Sequence, residues 1–147
     1  MPGTFEKITQ EFSVPFRYQV CFTEHLFQKE NDLFANLIQS ASPDVARNVL
    51  FVLDEGMYRH HSDLFERITA YAEAHRDTFT LVKKPVVIPG GEAAKNDPLH
   101  VERVHAAINE AGLDRHSYVT VIGGGAVIDT AGYAAATAHR GIRTIRV

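Results

Sequence analysis

Tryptophan is missing from this chain, cysteine occurs once and methionine twice. With Cys21 alone, no internal disulfide and no thiolate metal cluster can form, so a reducing, cytoplasmic setting is expected. No apolar run approaches the roughly 18 residues of a membrane-spanning helix, and residues 1–10 carry Glu6 and polar side chains where a leader would be apolar. Neither secretion nor membrane insertion is expected. Charge of one sign is also scarce: 15 Lys and Arg are interspersed with 18 Asp and Glu, for a net charge of −3. Without a basic stripe to neutralise phosphates, nucleic acid is not an expected partner. The 8 histidines include His60-His61 but show no His-Glu-x-x-His or comparable spacing, so no metal ligand is assigned.

What is present suits one domain, since 147 residues with 45% hydrophobic content can close a core. Residues 7–27 approach alternation, through Ile8, Phe12, Val14, Phe16, Tyr18, Val20 and Phe22. That pattern predicts a pair of strands broken near Pro15, at a sheet edge. Asn31 and Asp32 are candidate caps for a helix carrying Leu33, Phe34, Leu37 and Ile38, and residues 48–54 read as a buried strand. Ser62 is a candidate cap for the next helix, with Leu64, Phe65, Ile68, Tyr71 and Ala72 on one face. Residues 78–89 read as a strand around Val86, Val87 and Ile88. Asp97-Pro98 starts a helix that Gly112 stops, and residues 118–122 form a β-branched strand running into three glycines. An alanine-rich helix over residues 126–139 and a last strand from Arg143 complete the series. Strand and helix alternate from residue 48, which predicts a doubly wound α/β fold: a Rossmann-like parallel sheet with helices on both faces. The chain reaches Val147 within its last strand without a turn or cap, as expected of a sequence that continues.

The strand, glycine turn and helix start around Gly123-Gly124-Gly125-Ala126 would let backbone amides approach a pyrophosphate. By itself the turn is equally a tight connection of no chemical consequence. The common dinucleotide fingerprint does not fit, because Ile128 stands where its third glycine belongs and no acid lies about 20 residues on, near Arg143.

More residues carry the identification. Gly123-Gly124-Gly125-Ala126-Val127-Ile128-Asp129, then Gly132, an alanine run, and Thr137-Ala138-His139-Arg140-Gly141, resemble the 3-dehydroquinate synthase family of sugar-phosphate cyclases. Upstream, Pro89-Gly90-Gly91-Glu92-Ala93-Ala94-Lys95 resembles that family's Pro-x-Gly-Glu-x-x-Lys segment, and Phe51-Val52-Leu53-Asp54 its strand ending in an acid. The resemblance implies that residues 1–147 are an NAD-binding N-terminal domain. Asp54 would accept the adenosine ribose hydroxyls, and Glu92 and Lys95 would meet the nicotinamide ribose and nearby groups. Gly124, Gly125 and Ala126 would present amides to the pyrophosphate, and Asp129 would reach back to the nicotinamide ribose from the first turn of its helix. Arg140 would hold an anionic group of the substrate. Bland alternatives stand beside each: helix capping for Asp54 and Asp129, a solvated pair for Glu92 and Lys95, and a helix C-terminal cation for Arg140. One departure is Gly56, where the family often has Asn.

The same resemblance implies conversion of a heptulose phosphate to a carbocycle with phosphate elimination, using catalytic NAD. It also implies zinc or cobalt held by a helical C-terminal domain absent from these residues, and a homodimer of the longer protein. The isolated chain would bind NAD weakly and catalyse nothing. Two other readings share the turn. Metal-dependent alcohol or glycerol dehydrogenases usually carry Ser where this chain has Ala126 and lack the Arg140-Gly141 pair; a nucleotide-binding domain without catalysis is the third.

Overall fold

Residues 49–53 are apolar without interruption and every one is fully buried, which only a central strand covered on both faces can satisfy. In the computed structural model, which describes residues 5–41 and 43–147, they form the core of β1 (Arg47–Asp54). β1 pairs in parallel with β4 (Tyr118–Ile122) on one side. On its other side β2 (Phe79–Leu81) and β3 (Val86–Ile88) lie end to end, also parallel. β5 (Arg143–Arg146) adds in parallel to β4, so the sheet runs β2/β3, β1, β4, β5.

Helices cover both faces, as the alternation predicted. Phe34 and Ile38 of α1 (Leu33–Ser40) and Ile68 and Tyr71 of α3 (Leu64–Ala74) pack with Val49, Phe51 and Leu53. On the opposite face, Val104 and Ile108 of α5 (Pro98–Glu110) and Val127, Ala131 and Ala134 of α6 (Gly125–Thr137) pack with Leu50, Val52, Val119 and Val121. The alternation of β1 thus divides its side chains between two cores. Asp97 caps α5 as expected, accepting from the Leu99 amide at 2.9 Å, with Pro98 in the first turn. α3 starts one residue beyond the expected cap, after Asp63, without a side-chain cap bond.

The single strand expected over residues 78–89 is two, separated at 82–85. Pro85 has no amide to donate to a ladder, and β1 receives β2 against its first half and β3 against its second. Two short helices add to the series: α2 (Glu55–His60) and α4 (Glu92–Lys95), each beginning within four residues of a strand's carboxyl end.

The expected N-terminal strand pair is corrected by the structure. Residues 5–22 contain no strand, and their apolar side chains are open to solvent, from Val14 at 62% to Phe5 at 98% exposure. Alternation prepares a chain to be half of a ladder, but a two-stranded ribbon without a surface beneath it is marginal in water. Only from Leu26 and Phe27 does the segment meet the core. Phe27 packs edge-on against Phe34, Phe51 and Tyr71, with ring centroids 5.6–5.8 Å apart.

Among the described residues, Thr120 is one of several with a buried polar atom left unmatched. Thr120 lies fully buried in β4, opposite Phe51 in the register, and its Oγ1 finds no hydrogen-bond partner among the described residues. Thr120→Val keeps the shape and removes the stranded hydroxyl, so it should stabilise the domain by about 1 kcal/mol, seen as a raised urea midpoint. A lowered midpoint would show that the hydroxyl is satisfied.

Candidate functional site

Three strands end side by side. Asp54, the last residue of β1, is in register with Ile88 at the end of β3, and Leu53 with Ile122 at the end of β4. From β1 the chain builds outward in one direction through β2 and β3, then crosses to β4 on the other side. The carboxyl ends of β1 and β4 therefore flank the switch point at which doubly wound sheets take their ligands.

Asp54 is enclosed by glycine. A Cβ on Gly56 would stand 3.2 Å from its Oδ1, one on Gly123 would stand 2.7 Å from its Cβ, and one on Gly90 would collide with its Oδ2. Its Oδ1 accepts from the Met57 amide at 3.1 Å, capping α2. The capping alternative for Asp54 is thus realised at one oxygen. Among the described residues, Oδ2 carries no such bond, and it keeps its acceptor capacity.

Beyond β4, Gly124 is the N-cap of α6, in extended conformation (φ −76°, ψ 171°) and without a side-chain cap bond. The Ile128 amide is the first to bond back along the helix, to the Gly124 carbonyl. The amides of Gly125 and Ala126 precede it at the helix start, where unpaired donors and the positive end of the helix dipole favour an anion. Gly124 and Gly125 are exposed, and added Cβ atoms would meet nothing within 4 Å. The surface is an open ledge.

α4 borders that ledge. Lys95 Nζ lies 2.9 Å from Asp129 Oδ2 on α6 and 3.2 Å from Glu92 Oε1, with the lysine side chain 33% exposed. Hydrogen bonding to Asp129 first, and to Glu92 second, raises the Lys95 pKa above its ordinary 10.5. The ammonium is therefore retained throughout the neutral range. Arg103 of α5 steadies the approach to α4 by donating to the Val87 carbonyl at 3.0 Å. Gly91, the N-cap of α4, takes φ 90°, a left-handed conformation suited to glycine, and opens the turn into Glu92.

The structure therefore brings Asp54, Glu92, Lys95, Gly124, Gly125, Ala126 and Asp129 to the carboxyl edge of the sheet. Asp129 sits one position later than expected: α6 starts at Gly125, so the acid falls beyond the first turn. It pairs with Lys95 across two helices instead of capping its own. The pairing and the glycine enclosure of Asp54 were not visible in the sequence, because both depend on which strands and helices become neighbours.

Arg140 is elsewhere. It follows the C-terminus of α6, at φ 68°, and the 13 residues of that helix span about 20 Å. The loop joins α6 to the start of β5, at the amino edge of the sheet, so Arg140 does not meet the glycine turn of its own chain. Among the described residues, no group of three or more His, Cys, Asp and Glu side chains is arranged to hold a metal ion.

Comparison with known proteins gives relatives of one kind. A family model described as 3-dehydroquinate synthase N-terminal matches residues 85–147. A 3-dehydroquinate synthase of Bacillus cytotoxicus is 31% identical over 131 residues, covering 89% of this chain and 32% of that protein. A 2-epi-5-epi-valiolone synthase of Streptomyces glaucescens is 33% identical over 131 residues, with 89% and 31% covered. Among solved structures, ValA, the 2-epi-5-epi-valiolone synthase of Streptomyces hygroscopicus subsp. jinggangensis with NAD+ and Zn2+ bound, superposes with a TM-score of 0.59 at 23% identity, over 92% of this chain and 34% of that one. That likeness is one of fold. The chain spans about a third of the length of the curated relatives it matches. With the parallel sheet, the glycine turn and the Glu92–Lys95–Asp129 cluster in place, the chain is similar to the N-terminal domain of the 3-dehydroquinate synthase family, whose model it matches over residues 85–147.

Proposed function

We propose that residues 1–147 are the NAD-binding domain of a sugar-phosphate cyclase. The observation that carries the reading is the convergence at the switch point of a glycine-enclosed carboxylate, uncapped helix amides and a Lys95–Asp129 pair. Each suits one part of the dinucleotide. Oδ2 of Asp54 accepts from the adenosine ribose, Gly124, Gly125 and Ala126 offer backbone donors to the pyrophosphate, and Asp129, Glu92 and Lys95 meet the nicotinamide ribose. When bound, NAD supplies reversible oxidation of a substrate hydroxyl.

The proposed reaction class is supported by the relatives, which include both 3-dehydroquinate synthases and a 2-epi-5-epi-valiolone synthase. The proposed substrate is a heptulose phosphate, closed to a carbocycle with loss of phosphate. With identities of 31% and 33% to the two kinds of relative, the candidate substrates are 3-deoxy-arabino-heptulosonate 7-phosphate and sedoheptulose 7-phosphate. The described residues do not fit a zinc or cobalt ion, whose ligands are proposed to lie in the helical C-terminal domain of the longer protein. A substrate role for Arg140 requires that it reach the site of a second copy, in keeping with the homodimer proposed for the longer protein.

Titrating the 15N-labelled chain with NAD tests the domain assignment. The expected result is saturable shifts of the Gly124, Gly125 and Ala126 amides, with ADP-ribose reproducing most of them. Shifts scattered away from the glycine turn, or none at millimolar NAD, would overturn the reading.

A further inference from the structure

Pro89-Gly90-Gly91-Glu92 contains two adjacent glycines that serve different ends. Gly91 has φ 90° and open space around it, so its requirement is conformational. Gly90 is not at positive φ, and any L residue could adopt its backbone. Its requirement is space: an added Cβ would come inside 3.0 Å of Asp54 Oδ2.

The side chain that would have to yield is Asp54. Its Oδ1 is committed to the Met57 amide at 3.1 Å, and on the β4 side the Gly123 backbone lies so close that a Cβ added there would come within 2.7 Å of the Asp54 Cβ. A methyl at residue 90 therefore meets a carboxylate with little freedom to turn. It can be relieved only by moving Oδ2 or by breaking the α2 cap. A methyl at residue 123 would instead press on Cβ, which moves only with the backbone.

We propose that Gly90 is the positioning residue for Asp54, holding Oδ2 where it accepts from an unsubstituted ribose diol and opposes a 2′-phosphate. This rests on the NAD-binding reading above. A carboxylate fixed in place accepts from two hydroxyls without reorganisation, and it cannot swing aside to relieve repulsion from a phosphate. Gly90 acts only through Asp54, so its effect must vanish when Asp54 is replaced.

The test is a double-mutant cycle read by NAD and NADP titration of the whole chain. Gly90→Ala is expected to weaken NAD binding by about fivefold to tenfold, the worth of one misplaced hydrogen bond. The NAD-to-NADP affinity ratio should shrink with it, which a general loss of stability would not produce. Asp54→Ser keeps a capping side chain while removing the charge, and adding Gly90→Ala to it should change neither affinity further. The Asp54→Ser pair also keeps the cycle informative if Gly90→Ala alone folds poorly. Unchanged NAD affinity in Gly90→Ala, or an equal loss in both backgrounds, would overturn the positioning role. Absence of NAD binding by the unsubstituted chain would instead remove the domain reading on which it rests.

Discussion

Asp129→Asn is expected to lower NAD affinity by about tenfold or more, because a neutral amide replaces a charged acceptor whose hydrogen bonds exceed those of neutral groups. Two consequences separate this from loss of folding. The substitution removes the first cause of the raised Lys95 pKa, so that pKa should fall toward 10.5 while the Glu92 contribution remains. The melting temperature should change little, since Asp129 and Lys95 are both solvent-accessible and such pairs contribute little to stability. The sign of the pH effect follows from the direction of the shift. A lysine pKa raised by folding contributes stability fully present below the ordinary value and lost as pH rises through the raised one. Asp129→Asn and the unsubstituted chain should therefore differ in ligand affinity at neutral pH, and any small stability difference should fade only at strongly alkaline pH. Titration of the Lys95 ammonium by NMR, beside NAD binding, checks both. An unchanged affinity would detach Asp129 from the ribose.

The largest effect on stability is expected at Phe51. It is fully buried in the central strand, and its ring lies 5.8 Å from those of both Phe27 and Phe34. Phe51→Ala empties the middle of the layer between the sheet and helices α1 and α3. Replacements of this kind cost about 3–5 kcal/mol, against a total of roughly 5–15 kcal/mol for a domain of ordinary stability. The variant should unfold at much lower urea concentration, with unchanged slope if unfolding remains two-state. A loss below about 1 kcal/mol would mean that the layer collapses around the gap or is not the cooperative core.

Phe51 and Asp129 also differ in how far their roles were legible. Five consecutive buried apolar residues announce a central strand, because no exposed face is compatible with them. The β4–α6 turn was equally readable: a β-branched strand followed by glycines has few local alternatives. Asp97-Pro98 set the start of α5 for a similarly local reason, a cap followed by a residue that needs no helical hydrogen bond. Asp129 was legible as a candidate through motif resemblance, but its partner was not. Lys95 is 34 positions upstream, and only the packing of α4 beside α6 joins them.

Local patterning misled where it lacked a second surface. Phe12, Val14, Phe16, Tyr18, Val20 and Phe22 alternate as a half-buried strand would, yet every one is exposed in the structure. Period-two hydrophobicity states which face is to be covered and leaves open what covers it. Arg140 shows the converse. Its motif resemblance placed it with the substrate, while the length of α6 sets it at the other edge of the sheet from Asp129.

By itself, then, the sequence determined the α/β class, the central strand, the glycine turn and the residue types able to meet a dinucleotide, since each depends on neighbours a few positions away. Tertiary structure decided which strand ends lie together, and with them the enclosure of Asp54 by Gly90 and Gly123, the Lys95–Asp129 pair and the separation of Arg140. These follow from strand order and helix packing, where residues meet across intervals of chain that no local spacing encodes.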